Sequence, residues 1–417
     1  MSKFVVEGAN KLSGEVLVHG AKNSALPILA ATILCGAECV IHNCPNLSDV
    51  DASTRILRYL GCSVIREGKT LVINTKNMFK HDIPDLLMRE MRSSIVFLGA
   101  IVSKMGRARL SFPGGCELGP RPIDLHLKSL REMGLIINEY HGMLDCVVPN
   151  RLKGAKIALS FPSVGATENI MLAAVKAKGT TVITNAAREP EICDLADYLN
   201  KSGARIYGAG EGTITIEGVD KLEGIEHTVI PDRIAAATFM SAAAITGSDL
   251  LIKQVNLSHL SSIIPMLEET GCIIKFDNNQ IKIMSPERLR PIKIVRTMPY
   301  PGFPTDAQAP LMAVTTLSKG TSVFVENIFE NRYKHVDELV RMGANIKVEG
   351  RVAVVEGTNS LYGTTVQAND LRGGAALIVA ALAAEGVTQV TNIGHIDRGY
   401  EEIENVLSSI GASIKRT

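Results

Sequence analysis

The stretch LVRMGANIKVEGRVAVVEG, Leu339–Gly357, decides how this chain is read. An amphipathic segment ends at Gly343, and two alternating segments follow, NIKVE and VAVVE, separated by a glycine turn. Apolar residues every third or fourth place give way to apolar residues every second place, which predicts a helix, a glycine stop and a β-hairpin. The same grammar recurs in LNKSGARIYGAGEGTITIEG, Leu199–Gly218. Followed along the chain, the stop glycine falls at Gly61, Gly134, Gly203, Gly271, Gly343 and Gly411, with spacings of 73, 69, 68, 72 and 68 residues. A period of this kind is the signature of repeated units.

A second glycine series closes Ala-rich segments at Gly36, Gly106, Gly179, Gly247, Gly320 and Gly386, as in AAVKAKGTTVITN and AALAAEGVTQVTN. Each unit therefore reads as a strand, a short polar loop, a very apolar helix ended by glycine, a strand, an amphipathic helix ended by glycine, and two further strands. The segment AALIVAALAAEG is apolar on nearly every face, so it belongs inside, with the amphipathic helices outside it. The sixth unit stops at IGASIKRT, and the opening KFVVEG matches the VAVVEG strand it lacks, so the N-terminal strand is expected beside the C-terminal one. The expectation is an α/β fold of six βαβαββ units in two domains. One is discontinuous, 1–21 plus 230–417, and the other is 22–229, with three units each.

The 417 residues carry 44 Lys and Arg against 43 Asp and Glu, and 4% aromatics with no Trp. A charge balance of +1 and so few stacking platforms exclude a general nucleic-acid or membrane-surface binder. The opening MSKFVVEGANKLSGEV has no signal-peptide core, and no run reaches the roughly 20 apolar residues of a membrane span, so a cytoplasmic protein is expected. Eight cysteines at 35, 39, 44, 62, 116, 146, 193 and 272 form no CxxC pair, which predicts reduced thiols without a metal site. No cofactor is expected. Nothing in the sequence sets the oligomeric state, and a monomer is compatible with it.

The polar loop before each apolar helix holds the residues that composition does not explain: GAKNSAL (Lys22, Asn23), MREMRSSI (Arg92), PSVGATEN (Ser163, Val164, Gly165), PDRIAA (Asp232, Arg233), FPTDAQA (Thr305, Asp306) and NDLRGGA (Asp370, Arg372). Helix N-termini with nearby arginines, Arg121, Arg332 and Arg398 among them, suit an anion such as phosphate in a cleft between domains. Asp232, Asp306 and Asp370 each also stand where a helix N-cap belongs. A solvated or salt-bridged surface place is the ordinary alternative for Arg92, Arg121, Arg332 and Arg398. Cys116, in LSFPGGCELGPRP, lies among Gly114, Gly115 and Gly119 rather than in an apolar run. That composition predicts a lid carrying an acid, since a thiol near its usual pKa of about 8.5 is mostly protonated at neutral pH.

Taken in order, GAKNSAL, MRSSI, PGGCELGPRPIDLH, SVGATEN, AAREPEI, FPTDAQA, ENRYKHVDEL, NDLRGGAAL and HIDRGYE resemble the UDP-N-acetylglucosamine enolpyruvyl transferase family over essentially the whole length. The resemblance implies a two-domain inside-out α/β barrel, and transfer of the enolpyruvyl group of phosphoenolpyruvate to the 3-hydroxyl of UDP-N-acetylglucosamine by addition and elimination, in peptidoglycan synthesis. It implies Cys116 as proton donor and as the site of covalent adducts, including that of the epoxide antibiotic fosfomycin. It also implies Asp306 as base, assisted by Asp370. Lys22, Asn23, Arg121, Arg332, Arg372 and Arg398 would hold phosphoenolpyruvate. Asn23, Arg92, the run Arg121, Pro122, Ile123, Asp124, Leu125 and His126, then Ser163, Val164, Gly165, Asp306 and Ile328 would hold the nucleotide sugar. Phe161 stands where some members carry a lysine. The competing readings are the sister 5-enolpyruvylshikimate-3-phosphate synthases, which lack the cysteine lid, and a catalytically silent paralogue that binds a nucleotide sugar.

Overall fold

The computed structural model describes residues 2–113 and 123–417. These divide into two compact units, one holding 2–19 with Pro231–Thr417 and the other holding 20–113 with 123–230. Each unit contains three four-stranded sheets among the described residues. Each has its own hydrophobic core.

One topology recurs in all six sheets. Lys156–Ala158 pairs in parallel with Thr180–Thr184, which pairs antiparallel with Thr213–Glu217, and that strand carries Arg205–Tyr207 on its other edge. A parallel pair needs a crossover, and the crossover here is the buried helix Val164–Ala174. Strands such as Thr213–Glu217, Asp249–Lys253 and Val352–Glu356 bury every second residue, so one face of their sheets packs inward and the other faces outward. The chain passes between units at His19–Gly20 and again at Ile230–Pro231. Both passages fall in the polar loop between a lead strand and its helix. As a result Ser13–Leu17 pairs with Asp249–Lys253, and Glu226–Thr228 pairs with Glu38–His42, each within the unit the chain is leaving. Phe4–Glu7 completes the last sheet by lying between Val387–Thr391 and Ser413–Arg416.

The centre of each unit is a trio of helices packed on one another. In one unit these are Arg233–Ile245, Thr305–Thr315 and Leu371–Ala383; in the other they are Lys22–Cys35, Phe97–Met105 and Val164–Ala174. All 13 residues of Arg233–Ile245 are buried, as a helix without a polar face requires. With helices inside and sheets outside, each unit is an inside-out α/β assembly.

The two glycine series part company here. Gly61, Gly134, Gly203, Gly271, Gly343 and Gly411 all stand one residue past a helix cap with φ between 92° and 104°, the left-handed region where a Cβ is strained. In the other series only Gly36 and Gly106 cap their helices. The remaining apolar helices end earlier, at Ala174, Ile245, Thr315 and Ala383, and their glycines shape the turn into the next strand.

Candidate active site

In the discontinuous unit the three buried helices each begin beside an aspartate, and the three aspartates do different things. Asp232 caps its helix by accepting the N–H groups of Ile234 at 2.8 Å and Ala235 at 2.9 Å. Asp370 caps Leu371–Ala383 in the same way, with Oδ1 accepting from Arg372 N at 2.9 Å and Gly373 N at 3.0 Å. Asp306 is not a cap, contrary to its place in the sequence pattern. Helix Thr305–Thr315 starts one residue before Asp306, after Pro304, so Asp306 lies inside the first turn.

Arginines take up that carboxylate instead. Arg332 donates from Nη2 to Asp306 Oδ1 at 3.0 Å, and Arg372 donates from Nε and Nη2 to Oδ2 at 3.2 and 3.1 Å. Both arginine side chains are only 2% exposed, so the surface alternative fails for Arg332. Arg332 is fixed further by donating to the carbonyl of Thr305 from Nε at 3.2 Å and Nη2 at 2.9 Å, and its Nη1 lies 3.9 Å from Asp370. The ring of Tyr400 lies under Arg372, 5.4 Å from the guanidinium carbon, and its hydroxyl pairs with Thr238 at 2.8 Å. Buried cations of this kind persist only where paired and hydrogen-bonded. Nη1 of Arg372 and Oδ2 of Asp370 are buried without a hydrogen-bond partner among the described residues, so the cluster keeps one donor group and one acceptor in reserve. Arg398 closes the short helix Ile393–Arg398 and is half-buried, and Ile328 is half-buried beyond strand Thr321–Val325.

In the other unit Lys22 opens helix Lys22–Cys35, whose cap residue, Ala21, has no polar side chain to cap it. The ammonium is buried and lies 3.2 Å from Asp49 Oδ2, an ion pair that the sequence reading passed over. Asn23 is half-buried. Ser24 donates to Asp194, which also accepts from Ile230 N at 3.3 Å and pairs with His227 at 2.9 Å. The turn carrying Lys22 is thereby tied to the segment before the second passage. Asp194, Asp197 and His227 place one ligand-type atom each within 4.8 Å of one another, and the bonds just given already commit Asp194 and His227.

Ser163 caps Val164–Ala174 by accepting from Ala166 N at 3.3 Å, and Ser163, Val164 and Gly165 are all half-buried. Gly165 has no room for a side chain without crowding the His126 ring, which a Cβ would meet at 3.2 Å. His126 is buried, and Nδ1 faces Asn169 Nδ2 at 3.0 Å. Burial, with the nearby Arg92 charge, pushes its pKa down to about 4, so the imidazole is neutral at pH 7. Arg92, Ile123 and Asp124 come together with Phe112, Lys128 and Arg131 as the lining of a groove of about 430 Å³. Leu125 is half-buried beside it in sequence, and Phe161 is exposed. Cys116, Arg121 and Pro122 lie outside the described residues.

Sequence reasoning missed Asp49, Asn169, Tyr400 and Glu326. Asp49 stands in the first turn of helix Ser48–Tyr59, Asn169 inside helix Val164–Ala174, Tyr400 in the loop after Ile393–Arg398 and Glu326 just past strand Thr321–Val325, and only burial turns each into a partner.

The EPSP synthase (3-phosphoshikimate 1-carboxyvinyltransferase) family matches this chain over residues 6–407. The chain is 53% identical to UDP-N-acetylglucosamine 1-carboxyvinyltransferase 2 of Caldanaerobacter subterraneus subsp. tengcongensis, over 100% of both proteins. It is 51% identical to UDP-N-acetylglucosamine 1-carboxyvinyltransferase 1 of Symbiobacterium thermophilum, over 99% of this chain and 95% of that protein. Among solved structures, the enolpyruvyl transferase NikO from Streptomyces tendae superposes with a TM-score of 0.91 at 26% identity, covering 100% of this chain and 99% of that one. EPSP synthase from Acinetobacter baumannii superposes over all of both chains with a TM-score of 0.79 at 20% identity, a likeness of fold. With the fold matched from end to end and half of the residues identical, the chain belongs to the UDP-N-acetylglucosamine 1-carboxyvinyltransferases, within the EPSP synthase family.

Proposed function

We propose that this protein transfers the enolpyruvyl group of phosphoenolpyruvate to the 3-hydroxyl of UDP-N-acetylglucosamine and releases phosphate, as a cytoplasmic step of peptidoglycan synthesis. The observation that carries the reading is Asp306, a carboxylate gripped on both oxygens by buried arginines in a chain half identical to enzymes of that name.

The chemistry divides into addition and elimination. In the addition, the Cys116 thiol gives its proton to the methylene carbon of phosphoenolpyruvate, and the neighbouring carbon becomes electrophilic. Asp306 takes the proton of the sugar hydroxyl as that oxygen attacks. In the elimination, a proton leaves the new methyl group and phosphate departs with the C–O bond electrons, restoring the vinyl group. Lys22, Arg121, Arg332, Arg372 and Arg398 supply fixed positive charge for the carboxylate and the departing phosphate. Asp370 assists the proton transfers through its unpaired Oδ2. Asn23, Arg92, Ile123, Asp124, Leu125, His126, Ser163, Val164, Gly165 and Ile328, with Pro122, hold the nucleotide sugar. With Nδ1 accepting from the Asn169 amide, the neutral His126 ring carries its proton on Nε2 and can donate one hydrogen bond without adding charge beside a diphosphate.

Phosphate release from phosphoenolpyruvate tests the reading, measured in parallel with UDP-N-acetylglucosamine and with shikimate 3-phosphate. Release with the first acceptor alone is expected. Release only with the second would move the protein to the sister specificity, and silence with both would favour the silent paralogue.

A further inference from the structure

Glu326, at the end of strand Thr321–Val325, is 1% exposed, the least exposed acidic residue among those described. Its carboxylate has three donors. Oε1 accepts the N–H groups of Ile328 at 2.8 Å and Phe329 at 3.0 Å, and Oε2 accepts the Thr305 hydroxyl at 3.0 Å. Thr305 is the first residue of the helix whose second residue is Asp306, and its carbonyl takes two of the Arg332 hydrogen bonds.

A glutamate that only capped its own turn would need the two N–H groups and could sit in water. This one is withdrawn from water, a costly placement for a carboxylate unless its lone pairs are filled, and the remaining oxygen reaches another element. Because Glu326 occupies the Ile328 N–H, any ligand contact through Ile328 uses its carbonyl or side chain.

We propose that Glu326 is a positioning residue for the acceptor: it locks segment 327–329, which carries Ile328, to the helix turn that carries Asp306, and so sets the distance between the sugar ring and its base. This rests on the roles given above to Ile328 and Asp306. Placement errors of this kind act on the reacting geometry more than on the overall charge of the site.

The test compares wild type with Glu326→Ala, Glu326→Gln and Thr305→Val, using steady-state phosphate release and calorimetric binding of UDP-N-acetylglucosamine alone. Glu326→Ala is expected to raise the Kd and KM for UDP-N-acetylglucosamine about tenfold and to lower kcat about tenfold. The KM for phosphoenolpyruvate should stay within about threefold. Glu326→Gln is expected to recover most of the loss, since its carbonyl can accept the two N–H groups and its amide can donate to Thr305. Thr305→Val keeps the turn and cuts the link, so kcat should fall with the sugar affinity held. Unchanged constants in Glu326→Ala, or an equal rise in both KM values, would overturn the proposal. If Glu326→Ala does not fold, an unchanged kcat in Thr305→Val overturns it alone. Activity in the wild type with unaltered variants would sink this proposal only, whereas a wild type silent with UDP-N-acetylglucosamine would sink the transferase reading and this proposal together.

Discussion

Arg372 holds Asp306 through two bonds that converge on one carboxylate oxygen, Nε at 3.2 Å and Nη2 at 3.1 Å, while Arg332 takes the other oxygen at 3.0 Å. A carboxylate so gripped is fixed in orientation, and a substrate hydroxyl must share its lone pairs with the guanidinium groups. Asp306→Asn keeps the shape and removes the basicity. Its kcat is expected to fall by about 10²–10⁴, with the KM for phosphoenolpyruvate changed far less. A kcat near wild type would remove Asp306 from the proton transfer.

The thiols should separate sharply by reactivity. Of the seven described cysteines six are buried, and burial pushes Cys62 and Cys146 up to about 12, the latter with help from Asp145. Iodoacetamide at pH 7.5 on the native protein is expected to label Cys116 first, with Cys193 slower and the buried six unmodified. Peptide mass spectrometry reads the order, and loss of phosphate release should track Cys116 alone. Full activity in protein alkylated at Cys116 would contradict its role as proton donor.

The fold is legible in the sequence where one residue type answers one physical demand. The φ values at Gly61 and its five counterparts require glycine, so the repeat shows through unrelated side chains. The site is less legible, because Asp232, Asp306 and Asp370 look alike in sequence, yet the helix starts one residue after Asp232 and Asp370 and one residue before Asp306. That two-residue difference hands Asp306 to Arg332 and Arg372. The burial of Arg332, and the pairing of Lys22 with Asp49 27 residues away, depend on packing that no local pattern encodes.

His126 makes stability pH-dependent with a definite sign. The native ring stays neutral down to about pH 4, while in the unfolded chain it protonates near the ordinary 6.5, so the unfolded state holds the extra proton between those values. Its contribution is complete above about pH 6.5 and is lost as pH falls toward 4. His126→Gln is expected to remove about 2 kcal/mol from the stability difference between pH 7 and pH 5. Guanidinium unfolding at the two pH values measures it, and an unchanged difference would show that the ring is already charged in the native state.

Glu168 works in the opposite direction. Burial, with Glu191 and Glu189 close by, raises its carboxyl well above the ordinary value, so it resists ionising in the fold. Its stabilising contribution is present below the unfolded pKa and is lost as pH rises. Glu168→Gln should match wild type near pH 4 and melt a few degrees higher at pH 8. A lower Tm for Glu168→Gln at pH 8 would mean that the carboxylate is ionised and paired.

Running the reaction in D₂O distinguishes enolpyruvyl transfer by addition and elimination from simple loss of phosphate. During addition a solvent-derived deuteron enters the methylene carbon, and elimination then removes any one of the three methyl hydrogens, so some deuterium stays behind. Proton NMR of the product is predicted to show UDP-N-acetylglucosamine carrying an enolpyruvyl ether at the 3-oxygen, with deuterium in its vinyl CH₂ group. Phosphate release without that ether, or an ether with only protium at the vinyl carbon, would contradict the account.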